Sequence, residues 1–282
     1  MVLACFTAVE AVGGFWSHSI ALLAEAAHML ADCGSLVLAA LALRVGRRPA
    51  RSDRTYGHRR YEPLAAYTNG ILLLAITAGI LFEALRRLVQ PAEVNAAVML
   101  AVAAIGGIAN LSAFLILAGG RSLNERGARS HVLSDLLGSL AAVIAAVLIL
   151  TLGWQMADPL LSLIVAALTF RFGWRLTSDS SHVLLEGTPR GFDAAAVERE
   201  LRDLDFVRGI HHVHVWSLTG EAPILTCHIE VDKGADRPQV LAAVTGVLRE
   251  RFGVEHATVQ FEEGECVAPV DIRACHEERQ TE

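Results

Sequence analysis

Two stretches, His28-Met-Leu-Ala-Asp32 and His131-Val-Leu-Ser-Asp135, each set a histidine and an aspartate four positions apart inside a long apolar run. On a helix such residues share one face about a turn apart, so each stretch offers an imidazole and a carboxylate side by side. A charged side chain at the centre of a membrane helix costs on the order of 3 kcal/mol to insert, and a bound ion offsets that cost. Two nitrogens and two oxygens on two rigid helices suit tetrahedral zinc and disfavour oxygen-coordinated calcium and octahedral magnesium. Taken singly, an intramembrane histidine or aspartate reads equally well as a hydrogen-bonded helix contact. Repetition of the same spacing in two separate apolar spans is what favours the metal.

The elements that must position these groups are membrane helices. At 282 residues the chain has room for two domains, and its 53% hydrophobic content and mean hydropathy of +0.43 exceed what soluble domains carry. Acids concentrate after Thr188, so the net charge of -6 belongs mostly to a soluble end. Cys5, Cys33, Cys227, Cys266 and Cys275 form no C-x-x-C pair and no even framework, which implies no structural disulfide. Met1 to Gly14 lacks a basic n-region and a small-residue cleavage site, so no removable signal peptide is read there. The first apolar span is short against the roughly 20 residues a crossing needs. Either Phe15 and Trp16 complete it or the true start lies upstream.

Six spans are predicted, at about Val2–Trp16, Ile20–Val45, Pro63–Leu88, Val94–Ala118, Gly127–Leu152 and, with Asp158 as N-cap and Pro159 in the first turn, on to Leu176. Asn110 is read as a helix-packing hydrogen bond. The loop after span two carries Arg44, Arg47, Arg48, Arg51, Arg54, Arg59 and Arg60, and the loop before span five carries Arg121, Arg126 and Arg129. By the positive-inside rule both loops, and hence both termini, face the cytoplasm. After Glu186-Gly-Thr-Pro189 the pattern becomes soluble, with helix, strand, strand, helix and strand predicted at Asp193–Leu204, Val207–Leu218, Ile224–Asp232, Pro238–Phe252 and His256–Glu263. The expected organisation is a six-helix transmembrane metal-transport domain over 1–187, a cytoplasmic α+β domain of αββαβ order over 188–263, and a polar, flexible tail over 264–282.

Along nearly its whole length the chain resembles the cation diffusion facilitators, a family of exporters of zinc and related divalent metals. The resemblance rests on SIALLAEAAHMLAD, TYGHRRYEPLAA, SLNERGARSHVLSDLLGS, DPLLSLIVA, LLEGTP and HHVHVWSLTG, in that order. It implies a homodimer in the lipid bilayer of the cell's inner membrane, a ferredoxin-like cytoplasmic domain for dimerisation and metal sensing, and exchange of metal ions for protons, with no nucleic-acid partner. Transport ligands then fall on His28, Asp32, His131 and Asp135. Possible regulatory ligands fall on His211, His228 and Glu262, with Gln260 where relatives have a further histidine, and a charge pair falls on Arg60 and Glu186. A second loop site of some relatives keeps only His58, since Arg51 and Arg54 replace its other ligands, and is expected to be absent; so is a histidine-rich loop between spans four and five.

On the residues themselves, His228 with Glu230 and His256 with Glu262 are expected on polar strand faces, and His212 and His214 read as packing or interface residues beside Trp216. Cys227, Cys266, Cys275 and His276 are further conceivable ligands, although a free cysteine is usually a small hydrophobe. The function expected is proton-coupled zinc export; the alternatives are export of cobalt, nickel, cadmium or iron, an intramembrane zinc hydrolase, and a metal sensor that moves nothing. The hydrolase lacks an adjacent general base such as the glutamate of H-E-x-x-H. No G-x-x-x-x-G-K-[ST] loop offers ATP as the energy source.

Overall fold

The computed structural model describes residues 2–117 and 123–263; the side chains of 2–6, 32, 33, 35, 36, 39, 117, 123–131 and 134 lie outside the described set. The expected tail, with Cys266, Cys275 and His276, also lies outside it. The chain divides into two compact units, one of residues up to Arg44 together with Ala65–Ser178, the other of Val45–Leu64 together with the chain from Asp179 onward.

The first unit is built from helices α1 (Val2–Ser17), α2 (Ile20–Gly46), α3 (Tyr61–Val89), α4 (Ala96–Leu117), α5 (Leu123–Leu152) and α6 (Ala157–Leu184), of which α2, α3 and α6 run on into the second. Among the described residues four stretches are long and apolar enough to cross a membrane, Tyr61–Val89, Ala96–Ile116, Asp135–Leu152 and Ala157–Leu184; Ile20–Ala31 is a shorter apolar one. Their outward side chains are what lipid requires: Phe82, Leu115, Ile116, Ile164 and Leu168 are exposed, an arrangement water would penalise. Inside, small residues let backbones approach. Ala142, Ala145 and Ala146 of α5 pack on Met99 and Ala103 of α4 and on Ala21 and Leu22 of α2. Gly13 serves the same end, because a Cβ there would collide with Val102 of α4.

Asp158 departs from the expected N-cap role. α6 already begins at Ala157, and the Asp158 carboxylate, wholly buried, reaches instead to the start of α2. It accepts hydrogen bonds from Ser19 Oγ (2.6 Å) and from the backbone N–H groups of Ile20 (2.9 Å) and Ala21 (3.1 Å). The physical reason is that α2 starts straight out of the tight turn at His18 (φ 55°), so its first amides need an acceptor, and a helix N-terminus favours an anion. Arg87 of α3, with Nη1 4.0 Å from the same carboxylate, also donates to the His18 carbonyl, which ties α3 to this corner. A second difference is that α6 continues to Leu184 rather than ending near Leu176. The polar run Thr177–Ser181 contains no helix breaker, and the chain turns only at Glu186 (φ 61°), where the Gly187 N–H caps the His182 carbonyl (2.9 Å).

The second unit holds α7 (Ala194–Arg202), β1 (Val207–Ser217), β2 (Pro223–Val231), α8 (Arg237–Phe252) and β3 (His256–Glu262). Asp193 caps α7 by accepting the Ala196 N–H at 3.0 Å. β2 is central, antiparallel to β1 and parallel to β3, so α8 serves as the crossover that a parallel pair needs. One sheet face and the two helices share the core of Val197, Leu201, Leu225, Ile229, Val240, Val244 and Leu248.

Candidate metal centres

In the first unit, α2 and α5 bring His28 and Asp135 together, with Nε2 of the imidazole 3.7 Å from Oδ1 of the carboxylate. Asp135 is buried, and the imidazole side chain keeps only 17% exposure. The spacing leaves room for an ion between donor atoms more naturally than it makes a direct hydrogen bond. Asp32 and His131 lie on these same two helices one turn from His28 and Asp135; their side chains are outside the described set.

A polar chain continues inward from this pair. Ser139, one turn beyond Asp135, donates to the buried Glu25 carboxylate and accepts a hydrogen bond from Asn110 Nδ2 of α4 at 3.2 Å. Asn110 thus makes the interhelix bond expected of it. Glu10 of α1 is wholly buried, within electrostatic reach of both Glu25 and Asp135, and neither of its oxygens has a hydrogen-bond partner among the described residues. Glu10 and Glu25 were not singled out as site residues from the sequence. The signal available was the same as for the aspartates, an acid inside an apolar run, but neither has a histidine four positions away.

In the second unit, the free face of the sheet gathers histidines around one acid. Glu262 Oε2 lies 3.0 Å from His211 Nε2, and its Oε1 lies 3.0 Å from His228 Nδ1 and accepts a bond from Gln260 Nε2 at 2.9 Å. Glu230 stands 3.7 Å from His211 Nδ1. Glu262 shares the polar strand face of His256, as strand alternation suggested, but it is buried there at the end of β3, where register sets Glu230 beside it and His228 beside Gln260. Burial lowers the pKa of His228, with His211 and His212 acting in the same direction and Glu262 opposing them, which favours a neutral imidazole with a lone pair available.

His212, read from the sequence as a packing or interface residue, joins this cluster. The β1–β2 register shifts between His211 and His214, and His212 takes a left-handed backbone (φ 52°) there. This bulge turns its ring toward His228 (centroids 5.0 Å) and His211 (5.2 Å). One ring nitrogen from each of His211, His212 and His228 lies within 4.8 Å of the others. Zinc ligands in a tetrahedron stand about 3.3 Å apart, so small side-chain rotations would close three nitrogens and a Glu262 oxygen on an ion. Cys227 has no part in it. Its side chain enters the core, and burial pushes the thiol up to about 12.

Arg60 and Glu186 form the expected pair, Nη2 to Oε1 2.7 Å, but both side chains are largely exposed, so its contribution to stability is small. His58 stacks on Tyr61.

Two family models divide most of the chain between them. Residues 1–185 match the cation efflux transmembrane domain and residues 189–264 match the cation efflux protein cytoplasmic domain. The zinc transporter ZitB of Escherichia coli is 44% identical over 272 residues, covering 95% of this chain and 87% of the relative. The cadmium, cobalt and zinc/H(+)-K(+) antiporter of Bacillus subtilis is 40% identical over 261 residues, covering 90% and 84%. The metal cation efflux system protein CzcD of Cupriavidus metallidurans is 37% identical over 264 residues, covering 93% and 84%. Among solved structures, the metal-bound C-terminal domain of the CzcD transporter is 32% identical, covering 25% of this chain and 97% of that one, with a TM-score of 0.24.

Proposed function

This chain belongs to the cation efflux family, the cation diffusion facilitators, and from that premise we propose that it exports zinc from the cytoplasm in exchange for protons. It is an integral membrane transporter and not an enzyme, which sets aside the hydrolase reading. The observation that carries the proposal is the approach of His28 on α2 to Asp135 on α5 within the membrane unit. By their spacing we assign Asp32 and His131, a turn away on the same helices, as the other two ligands. The names of the ZitB relatives support zinc as cargo. The broader cargo named for the Bacillus subtilis relative supports cobalt and cadmium as secondary substrates.

Zinc requires neutral imidazoles and ionised carboxylates, so loading releases protons and reprotonation drives the ion off. His28 and His131 are the coupling elements, since imidazole changes charge near neutral pH. Rocking of α2 and α5 against the other helices exposes the site alternately to each side. The transport unit has six spans with both termini cytoplasmic, and the ferredoxin-like second unit serves dimerisation and metal sensing, with zinc held by His211, His228 and Glu262 and additionally by His212.

The test is zinc flux into sealed vesicles holding the purified chain, with proton movement followed in parallel. Zinc uptake accompanied by opposite proton flow, and slowed when a protonophore collapses the gradient, is the expected result. Zinc flux indifferent to the gradient removes proton exchange, and binding without flux leaves only a sensor. In the same vesicles His28→Asp raises cadmium transport relative to zinc by roughly tenfold, because an oxygen donor replaces a nitrogen. An unchanged ratio would show that His28 does not set selectivity.

The regulatory site is separable in an Asp135→Ala background. There Glu262→Gln weakens zinc binding measured by calorimetry by about tenfold or more, since the acid holds both imidazoles in place. Equal affinity with and without the substitution would remove metal binding from this face.

A further inference from the structure

Between α2 and α3 the chain makes a loop whose two ends are anchored in helices of the membrane unit. It carries seven arginines against two acids, Asp53 and Glu62, over residues 44–62. Orienting the helix pair in the membrane requires only an excess of positive charge. The loop shows more than an excess, because it is folded. Arg51 and Arg54 form an isolated bridge with paired backbone hydrogen bonds of 3.1 and 3.0 Å, Gly57 (φ 70°) donates to the Arg54 carbonyl at 2.8 Å, and Arg48 donates to Val45 at 3.0 Å. Two of the guanidinium groups are used internally. Arg54 bonds the Tyr61 hydroxyl at 3.1 Å and lies over its ring, and Arg60 pairs with Glu186.

Of the other five, Arg44 ends α2, while Arg47, Arg48, Arg51 and Arg59 belong to the loop itself; these four are all exposed, and among the described residues none has an acidic partner. A short, ordered loop whose arginines outnumber its two acids and form no ion pair with either is self-repelling, and an anion relieves that repulsion. Tethering by α2 and α3 keeps the loop within a few residues of the membrane surface, where phosphodiester groups are the most concentrated anions. Guanidinium forks bind phosphate oxygens bidentately, so ordered arginines fit this ligand better than a diffuse cationic tail would.

We propose that this loop is a binding site for anionic phospholipid headgroups of the adjacent leaflet. It goes beyond the transport reading and does not depend on which ion is carried.

The test uses the full chain purified in detergent and titrated with phosphatidylglycerol or with phosphatidylcholine of the same acyl chains, bound lipids being counted by native mass spectrometry. The intact chain is expected to retain phosphatidylglycerol preferentially. A variant with Arg47→Gln, Arg48→Gln, Arg51→Gln and Arg59→Gln loses that preference by about tenfold or more, since each basic residue near an anionic surface is worth roughly fivefold. The matching arginine-to-lysine variant keeps the charge that orients the helices and retains part of the preference; it serves as the test if the glutamine variant fails to fold. Equal retention of the two lipids by the intact chain, or an unchanged preference in the glutamine variant, overturns the proposal. If the glutamine variant cannot be purified, an undiminished preference in the lysine variant overturns it instead. Displacement of phosphatidylglycerol by excess inorganic phosphate would likewise overturn it, marking a soluble-anion site. Zinc flux is not read in any arm, so failure here leaves the transport proposal standing.

Discussion

Asp135→Ala, reconstituted into sealed vesicles under an inward-directed metal gradient and a proton gradient, is expected to move zinc at least about a hundredfold more slowly than the native chain. The substitution removes a buried ligand 3.7 Å from His28 and leaves that imidazole with less than the donor set a tetrahedral ion requires. The helices should survive, because alanine is the best helix former and the neighbouring α4–α5 packing is made by Ala142, Ala145 and Ala146, two turns or more further along. Size-exclusion profiles and helical circular dichroism matching the native chain would establish that the loss is local. Transport at the native rate by a folded Asp135→Ala protein would place the ion path elsewhere.

Asp158→Ala is expected to act through stability and not through the ion. Its carboxylate serves three donors at the start of α2, and no water-filled surface is available to replace it, since Ser19 and Asp158 are both buried. Loss of a helix cap costs roughly 0.5–2 kcal/mol. Each buried donor left unmade adds about 1–3 kcal/mol, so a total of about 3 kcal/mol or more is reasonable. A fall in the melting temperature of several degrees, read from thermal unfolding in detergent, would be the signature. Asp158→Asn, which keeps one acceptor oxygen, should fall between the two. A melting temperature unchanged in Asp158→Ala would mean that α2 is held by its packing alone.

Much of this was legible from the order of residues. Apolar runs of membrane length, broken at Ser17–Ser19 and at the arginine loop, place the helices, because lipid admits few other structures. The His-x-x-x-Asp repeat survives as two helical faces, since a four-residue spacing means the same thing wherever an α-helix forms. In the soluble unit, period-two alternation gives strand limits within a residue or two of those observed.

Other features depended on contacts between distant segments. Asp158 before a proline reads as a cap for its own helix, yet it serves the start of α2, 138 positions away, because those amides needed an acceptor more than α6 did. His212 alternates out of the cluster on paper and enters it through a bulge that only the pairing of β1 with β2 creates. Glu262, which the resemblance alone marked as a ligand, becomes the acid between two imidazoles because β3 pairs in parallel with β2. The sequence alone determined which segments are helices, which acids and imidazoles share a helical face, and which family the motifs resemble, since these follow from local periodicity and side-chain chemistry. Tertiary structure decided which of those groups meet, because meeting depends on helix crossings and strand register that no local spacing encodes.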